Sequence, residues 1–114
     1  MNQEFWEYMQ RLVDSSTIRI DRPKGSTHPR FPQQVYPVSY GYLEGTNAMD
    51  SGGVDIWVGS LKNHRVVGAL CTVDLLKRDT ELKIMYDCSD EEINTILKFV
   101  NVAQMRAEFL KRET

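Results

Sequence analysis

Three groups of side chains in this sequence have the types and spacing to do chemistry. The first is Tyr36-Pro37-Val38-Ser39-Tyr40-Gly41-Tyr42, three phenols set around a proline and a glycine. The second is Asp50-Ser51-Gly52-Gly53-Val54-Asp55-Ile56-Trp57-Val58, in which Asp55 opens an apolar stretch. The two glycines let the chain fold back tightly, so Asp50 and Asp55 can meet one cation. The third is Asp79, Glu81 and Lys83, which alternate along one extended segment and so face one side. Carboxylates beside phenol donors suit a divalent cation that holds a phosphate-type anion. Each group also has a plainer reading: an acidic loop tip, core tyrosines with hydroxyls at the rim, a solvated strand face. Asp74 rivals Asp79 as a metal ligand. Lys24 and Arg30, on a proline-constrained loop, either clamp phosphate oxygens or form a solvated basic surface.

The elements that must position these groups follow from periodicity. Phe5, Trp6, Met9, Leu12 and Val13 mark one face of a helix over residues 3–14, with Phe5, Trp6 and Trp57 expected in the core. Thr17 to Asp21 alternates as a strand. Pro23, Gly25, Pro29 and Pro32 forbid regular structure over residues 22–34, leaving a loop or edge segment. Val35 to Tyr42 is extended but irregular, with Gly41 allowing close backbone approach. Val54–Val58, Arg65–Val73 and Thr80–Tyr86 are further strands, separated by turns at Lys62-Asn63-His64 and Lys77-Arg78-Asp79. Ser89 and Glu92 form a capping box ahead of the helical run Ile93, Ile96, Leu97, Val100. Residues 102–112 are expected as a second helix or a bent continuation, so the C-terminal helical region spans about 90–111. An amphipathic Val102–Leu110 face, with Met105 and Phe109, would be a candidate dimer contact. The expected class is mainly β (α+β): about five strands in a small barrel, with N- and C-terminal helices packed on it.

Composition narrows the function classes. The chain has 114 residues and a formal net charge of −2, which suits one domain spanning 1–114 with one core. Nothing in that charge predicts nucleic-acid binding, and single-strand binding by a barrel of this kind has only fold analogy behind it. No apolar run approaches the roughly 20 residues of a membrane span. The first residues lack a signal-peptide pattern, and Cys71 and Cys88 read as reduced thiols. A cytoplasmic location is expected. His28 and His64 give no support for zinc.

The order Tyr-Pro-x-x-Tyr-Gly-Tyr, then Thr46, then Asp50 and Asp55 before a hydrophobic strand resembles the signature of soluble family I inorganic pyrophosphatases. The resemblance covers about residues 17–86. It implies a five-stranded, OB-like β-barrel core over about 17–86 that hydrolyses pyrophosphate to two phosphates, using Mg2+, or Mn2+ in its place, to activate a bridging water. On this resemblance Asp50, Asp55 and Asp79 hold metal, with Asp21 and Glu81 as weaker ligands. Asp55, Lys83 and Tyr40 act in catalysis, and Lys24, Arg30, Tyr36, Tyr40 and Lys83 hold pyrophosphate or phosphate. Asp21 stands where the family has glutamate, and Arg30 where it has lysine. A homo-oligomer is open, since bacterial members of the family assemble into hexamers.

Four departures bear on activity. Gly52 replaces the middle carboxylate of the acidic cluster, the one given the base-like role beside the attacking water. Pro32 replaces a glutamate. Only Gln33-Gln34-Val35 fills the place of a hairpin that carries a phosphate-binding arginine. No Tyr-Lys pair follows Tyr86. Each lost electrostatic group can cost about 10²–10³ in rate, with Asp21, Glu44 and Glu81 as substitutes at hand. Two functions therefore stand side by side: a minimal metal-dependent pyrophosphatase, and a catalytically impaired relative that binds metal and phosphate or another protein.

Overall fold

The computed structural model describes residues 2–49 and 52–113. The chain runs α1 (Gln3–Asp14), β1 (Thr17–Arg22), β2 (Ser39–Glu44), β3 (Val54–Val58), β4 (Val66–Asp74), β5 (Asp79–Tyr86), α2 (Asp90–Val100) and β6 (Met105–Lys111). The six strands form one sheet in the order β1-β2-β3-β5-β4-β6. The central β3–β5 pair is parallel, with Ile56 opposite Ile84. The remaining pairs are antiparallel.

Alternation along the central strands loads both faces of this sheet with apolar side chains. Ile56 and Ile84 join Leu43, Val66 and Ala69 in a layer beneath Trp6 and Val13 of α1. Trp57, Leu70 and Met85 point the other way, into a layer with Val38 and with Ile93, Ile96 and Val100 of α2. A closed barrel has a single interior. Strands buried on both faces need a cover on each side, and here one helix covers each. The expected barrel is thus an open sheet, and β1 and β6 each have one strand neighbour among the described residues.

The sixth strand is the second correction. Residues 102–112 were expected to be helical, yet β6 pairs antiparallel with β4 from Gly68↔Lys111 to Asp74↔Met105. Met105, Ala107 and Phe109 pack on the α2 side of the sheet, a period of two rather than 3.6. Asn101 makes the break. Its side-chain amide donates to Leu97 O at the end of α2, and its Oδ1 accepts from Ala107 N of β6. Ala103 then takes a left-handed conformation, with φ of 51°.

The N-terminal elements follow the sequence closely. Asn2 caps α1 by accepting from Glu4 N at 2.8 Å. Ser89 and Glu92 form the expected capping box on α2, and Glu92 also accepts from Ser60 N, tying the loop after β3 to the helix start. Burial works against the ionised Glu92 carboxylate, but these backbone donors outweigh it and hold its pKa below the usual range. Trp6 and Trp57 are core, as expected, whereas Phe5 is 43% exposed and meets Trp6 edge-on.

Gly41 fixes how β1 lies on β2. A Cβ added there would sit 1.9 Å from Arg19 O and 2.9 Å from Ile20 Cα, both main-chain atoms of β1. The register shifts just beyond, between Ile20 and Arg22, leaving Asp21 in the bulge. A methyl group at position 41 must push β1 outward, because no flexible side chain is there to yield. Gly41→Ala is therefore expected to lower stability by about 1–3 kcal/mol, read as a lower denaturant midpoint with an unchanged slope. An unchanged midpoint would show that β1 is not pressed on this glycine.

Candidate functional site

Strand alternation brings four of the singled-out side chains to one place. Asp55 lies two residues before Trp57, and Lys83 and Glu81 lie two and four before Met85, so all three share the α2 face of the sheet. Tyr40 sits opposite Trp57 on β2. Lys83 Nζ donates to Tyr40 OH at 2.7 Å, to Asp55 Oδ2 at 2.9 Å and to Glu81 Oε2 at 3.0 Å. An ammonium has three N–H donors, and all three are used here. The Lys83 side chain is only 12% exposed, with Asp55 at 27% and Glu81 at 24%.

The electrostatics follow from that arrangement. Burial opposes the Lys83 charge, but Tyr40 and Asp55 outweigh it and hold the lysine pKa above its usual value. Burial likewise pushes the Tyr40 phenol up, only partly offset by Lys83. Tyr40 is thus a neutral phenol whose oxygen accepts from Lys83 and whose O–H is hydrogen-bonded to the Asp55 carboxylate. Its ring lies 4.7 Å from Trp57 and 6.0 Å from Tyr36 between centroids, and Tyr36 reaches Phe99 of α2 at 5.1 Å. Tyr36 therefore belongs to the aromatic layer that supports Tyr40.

A cavity of about 430 Å³ opens beside this group. β3 and β5 are paired from Ile56↔Ile84 onward, and the cavity lies at the N-terminal side of that pairing. Asp55, Asp79, Thr80 and Glu81 are among the residues that line it, so it adjoins the Lys83 group through Asp55 and Glu81. Ala48, Met49, Val54 and Leu82 complete it. The Thr46 hydroxyl donates to Leu43 O at 2.7 Å and accepts from Val54 N at 2.9 Å, joining the end of β2 to the start of β3. Ala48 N donates to Gly52 O at 2.8 Å across the same loop.

The other expected site residues are placed elsewhere. Asp50 lies outside the described residues. Asp74 is engaged in the β4–β5 turn, where its Oδ1 accepts from Leu76 N and Lys77 N, so Asp79 rather than Asp74 reaches the cavity. Asp21 is exposed and pairs with Arg22 at 3.6 Å. Glu44 pairs with Arg19 across the β1–β2 edge. Lys24 is exposed, and its main-chain N–H donates to Ser39 Oγ. Arg30 lies at the tip of an excursion closed by the Thr27↔Val35 bridge and the His28 N→Gln34 O bond. Among the described residues, neither the Lys24 nor the Arg30 side chain makes a hydrogen bond or ion pair to the Lys83 group.

Asp55, Asp79 and Glu81, residues of the types that hold hard divalent cations, are among those lining the cavity. Asp55 and Glu81 already hold a cation there, the Lys83 ammonium. Among the described residues no group of three His, Cys, Asp or Glu is assembled to coordinate an ion. The sequence had ranked Glu81 as a weak ligand and missed its main contact. The spacing of two between Glu81 and Lys83 was the available signal, because i and i+2 share a strand face.

Lys83 is the test of this geometry. Lys83→Met leaves two partly buried carboxylates facing each other, with an expected loss of about 1–3 kcal/mol. The fold favours the ionised lysine, so its contribution is complete below the ordinary lysine pKa of about 10.4 and is lost only as pH rises through the raised folded value. The stability gap between wild type and Lys83→Met should therefore stay level from about pH 7 to 9. A gap that closes within that window would contradict the buried ion group.

No protein-family model and no curated protein matches the sequence. Solved structures do match the fold. The chain is similar to an inorganic pyrophosphatase from Neisseria gonorrhoeae, with a TM-score of 0.58 and 15% identity over 89% of this chain and 78% of that one. It is similar to one from Coxiella burnetii, with a TM-score of 0.53 and 17% identity over 89% and 80%. A third, from Helicobacter pylori, gives 0.53 and 18% over 84% and 75%. At this level of identity the likeness is one of fold.

Proposed function

We propose that the cavity beside Lys83 binds and hydrolyses a phosphoanhydride, with inorganic pyrophosphate as the reference substrate and Mg2+ or Mn2+ as the metal. The observation that carries this reading is the meeting of Tyr40, Asp55 and Lys83 from three strands at one mouth of the sheet, in a fold shared with inorganic pyrophosphatases. Asp55, Asp79 and Glu81 are the residues that would hold the metal, with Asp50 as a further candidate beside them in sequence. A divalent ion there supplies an acidified water and charge neutralisation for the phosphates.

The chain's own residues divide the remaining work. Tyr40, kept protonated by burial and by its hydrogen bond to Asp55, helps Lys83 hold that carboxylate in place. Lys83 holds Asp55 and Glu81 in place and keeps the wall from carrying three uncompensated charges. The aromatic layer of Tyr36, Trp57 and Phe99 keeps water away from the back of the Tyr40 ring. Lys24 and Arg30 are far less constrained than this group, so they supply at most a solvated positive edge.

The second reading, a binding module without turnover, has its own observation. All three Lys83 donors are spent inside the protein, and position 52 carries no side chain to act beside a water. Both readings keep the ligand and differ in rate.

The deciding experiment is phosphate release from pyrophosphate by the pure protein, with Mg2+ and then Mn2+, beside Asp55→Asn. Metal-dependent release that falls by about 10² or more in the variant supports the enzyme. Metal-dependent pyrophosphate binding with release no higher than the variant's supports the module. Release that is undiminished in Asp55→Asn would sink the assignment of this site.

A further inference from the structure

Helix α1 carries two apolar rows, and the sheet covers one of them. Trp6 and Val13 are buried in the layer against the sheet. Phe5, Tyr8 and Leu12 recur at intervals of three and four and form the second row. They are 43%, 62% and 38% exposed. A helix laid on a sheet needs one apolar stripe. Three large apolar side chains in line on the open side are a patch rather than single scattered groups.

This row complements itself when its direction is reversed. Its C-terminal half holds a hollow lined by Tyr8, Arg11, Leu12, Asp14 and Ser15. Tyr8, Arg11, Leu12 and Ser15 lie at i, i+3, i+4 and i+7, the four positions that make a hole for a knob from a facing helix. Its N-terminal half supplies a knob in Phe5, which Trp6 braces edge-on at 5.0 Å. An antiparallel copy, related by a two-fold axis passing between Tyr8 and Met9, sets Phe5 of each chain at Leu12 of the other, over that hollow.

The charges obey the same symmetry. Glu4 and Arg11, four before and three after Tyr8, border the row on its exposed side. Among the described residues neither has an ion-pair partner, and Arg11 lies over the Tyr8 ring of its own helix at 4.8 Å. Reversal about that axis brings Glu4 of one copy to within about 3 Å, measured along the helix, of Arg11 of the other. The two-fold repeats the pair at the opposite end. A parallel copy would instead set Glu4 on Glu4 and Arg11 on Arg11.

We infer that α1 is a dimer interface for a second copy of this chain, with the two helices antiparallel through Phe5, Tyr8 and Leu12 and with Glu4–Arg11 pairs at its rim. Nothing in this contact draws on the Lys83 cavity. One helical row is a small interface, so the association is weak and concentration-dependent.

The test is sedimentation equilibrium of the full chain from about 1 µM to about 300 µM, the range suited to an interface of this size. Wild type is expected to pass from monomer to dimer, and Phe5→Asp to weaken the dimer at least about tenfold. Glu4→Lys and Arg11→Glu should each weaken self-association, because each sets like charges together. An equimolar mixture of these two variants should associate more tightly than either alone, because acid again meets base at both ends. Both positions are exposed, so the charge variants keep the test informative if Phe5→Asp does not fold. A mixture no tighter than its components would overturn the antiparallel register. A dimer unmoved by all three variants would overturn the interface. So would wild type that stays monomeric throughout, which would leave the row to a helix of another protein.

Discussion

The Lys83 ammonium is the contact on which the arrangement of this protein depends. It joins side chains from β2, β3 and β5 through three hydrogen bonds of 2.7–3.0 Å. Its cost is the burial of a charge, which is tolerable only with opposite charge and full hydrogen bonding. Both conditions hold, since two carboxylates and a phenol complete its shell. The same group sets the chemistry of the cavity. It neutralises one of two neighbouring carboxylate charges and, with the Tyr40 hydroxyl, fixes where those carboxylates point. It also withholds its own donors, which is why the wall offers an anion so little direct attraction.

The surrounding fold supplies rigidity at that point. β3 and β5 are the central parallel pair, buried on both faces beneath α1 and α2. Parallel pairs of this kind need both faces covered, and the covering helices are α1, before the first strand, and α2, between β5 and β6. The site lies where this pairing stops and the strands part. A mouth at the end of a buried pair places polar groups on rigid backbone with solvent on one side. Thr46, by joining β2 to β3, makes the loop edge of that mouth part of the same frame.

Much of this was legible in the sequence, and the failures have physical causes. Helix α1, strand β3 and the capping box of α2 were read correctly because period and cap agreed there. The Tyr40–Asp55–Lys83 meeting was expected from the resemblance, and the two-residue spacing made the facing of Glu81 readable as well. The sixth strand was misread because Met105, Phe109 and their neighbours suit a helical stripe as well as an alternating one over so short a run. What settles it is non-local: β4 has an open edge, and Asn101 turns the chain back toward it. The barrel failed for a related reason. Alternation in Asp55-Ile56-Trp57 and Lys83-Ile84-Met85 reports two buried faces only once the helices are placed. Arg30 and Lys24 were drawn into the site by charge and order alone, and the bridge that carries Arg30 outward lies between Thr27 and Val35, beyond what local pattern records.

The most direct measurement is nitrogen-15 NMR of the lysine side-chain ammoniums, assigned by the signal lost in Lys83→Arg. The Lys83 ammonium should exchange slowly with water and remain charged well above the ordinary lysine pKa of about 10.4. A Lys83 signal that exchanges like those of exposed lysines and titrates near about 10.4 would mean that the ammonium is not held by Tyr40, Asp55 and Glu81, and the cavity would lose the constraint from which its chemistry is drawn.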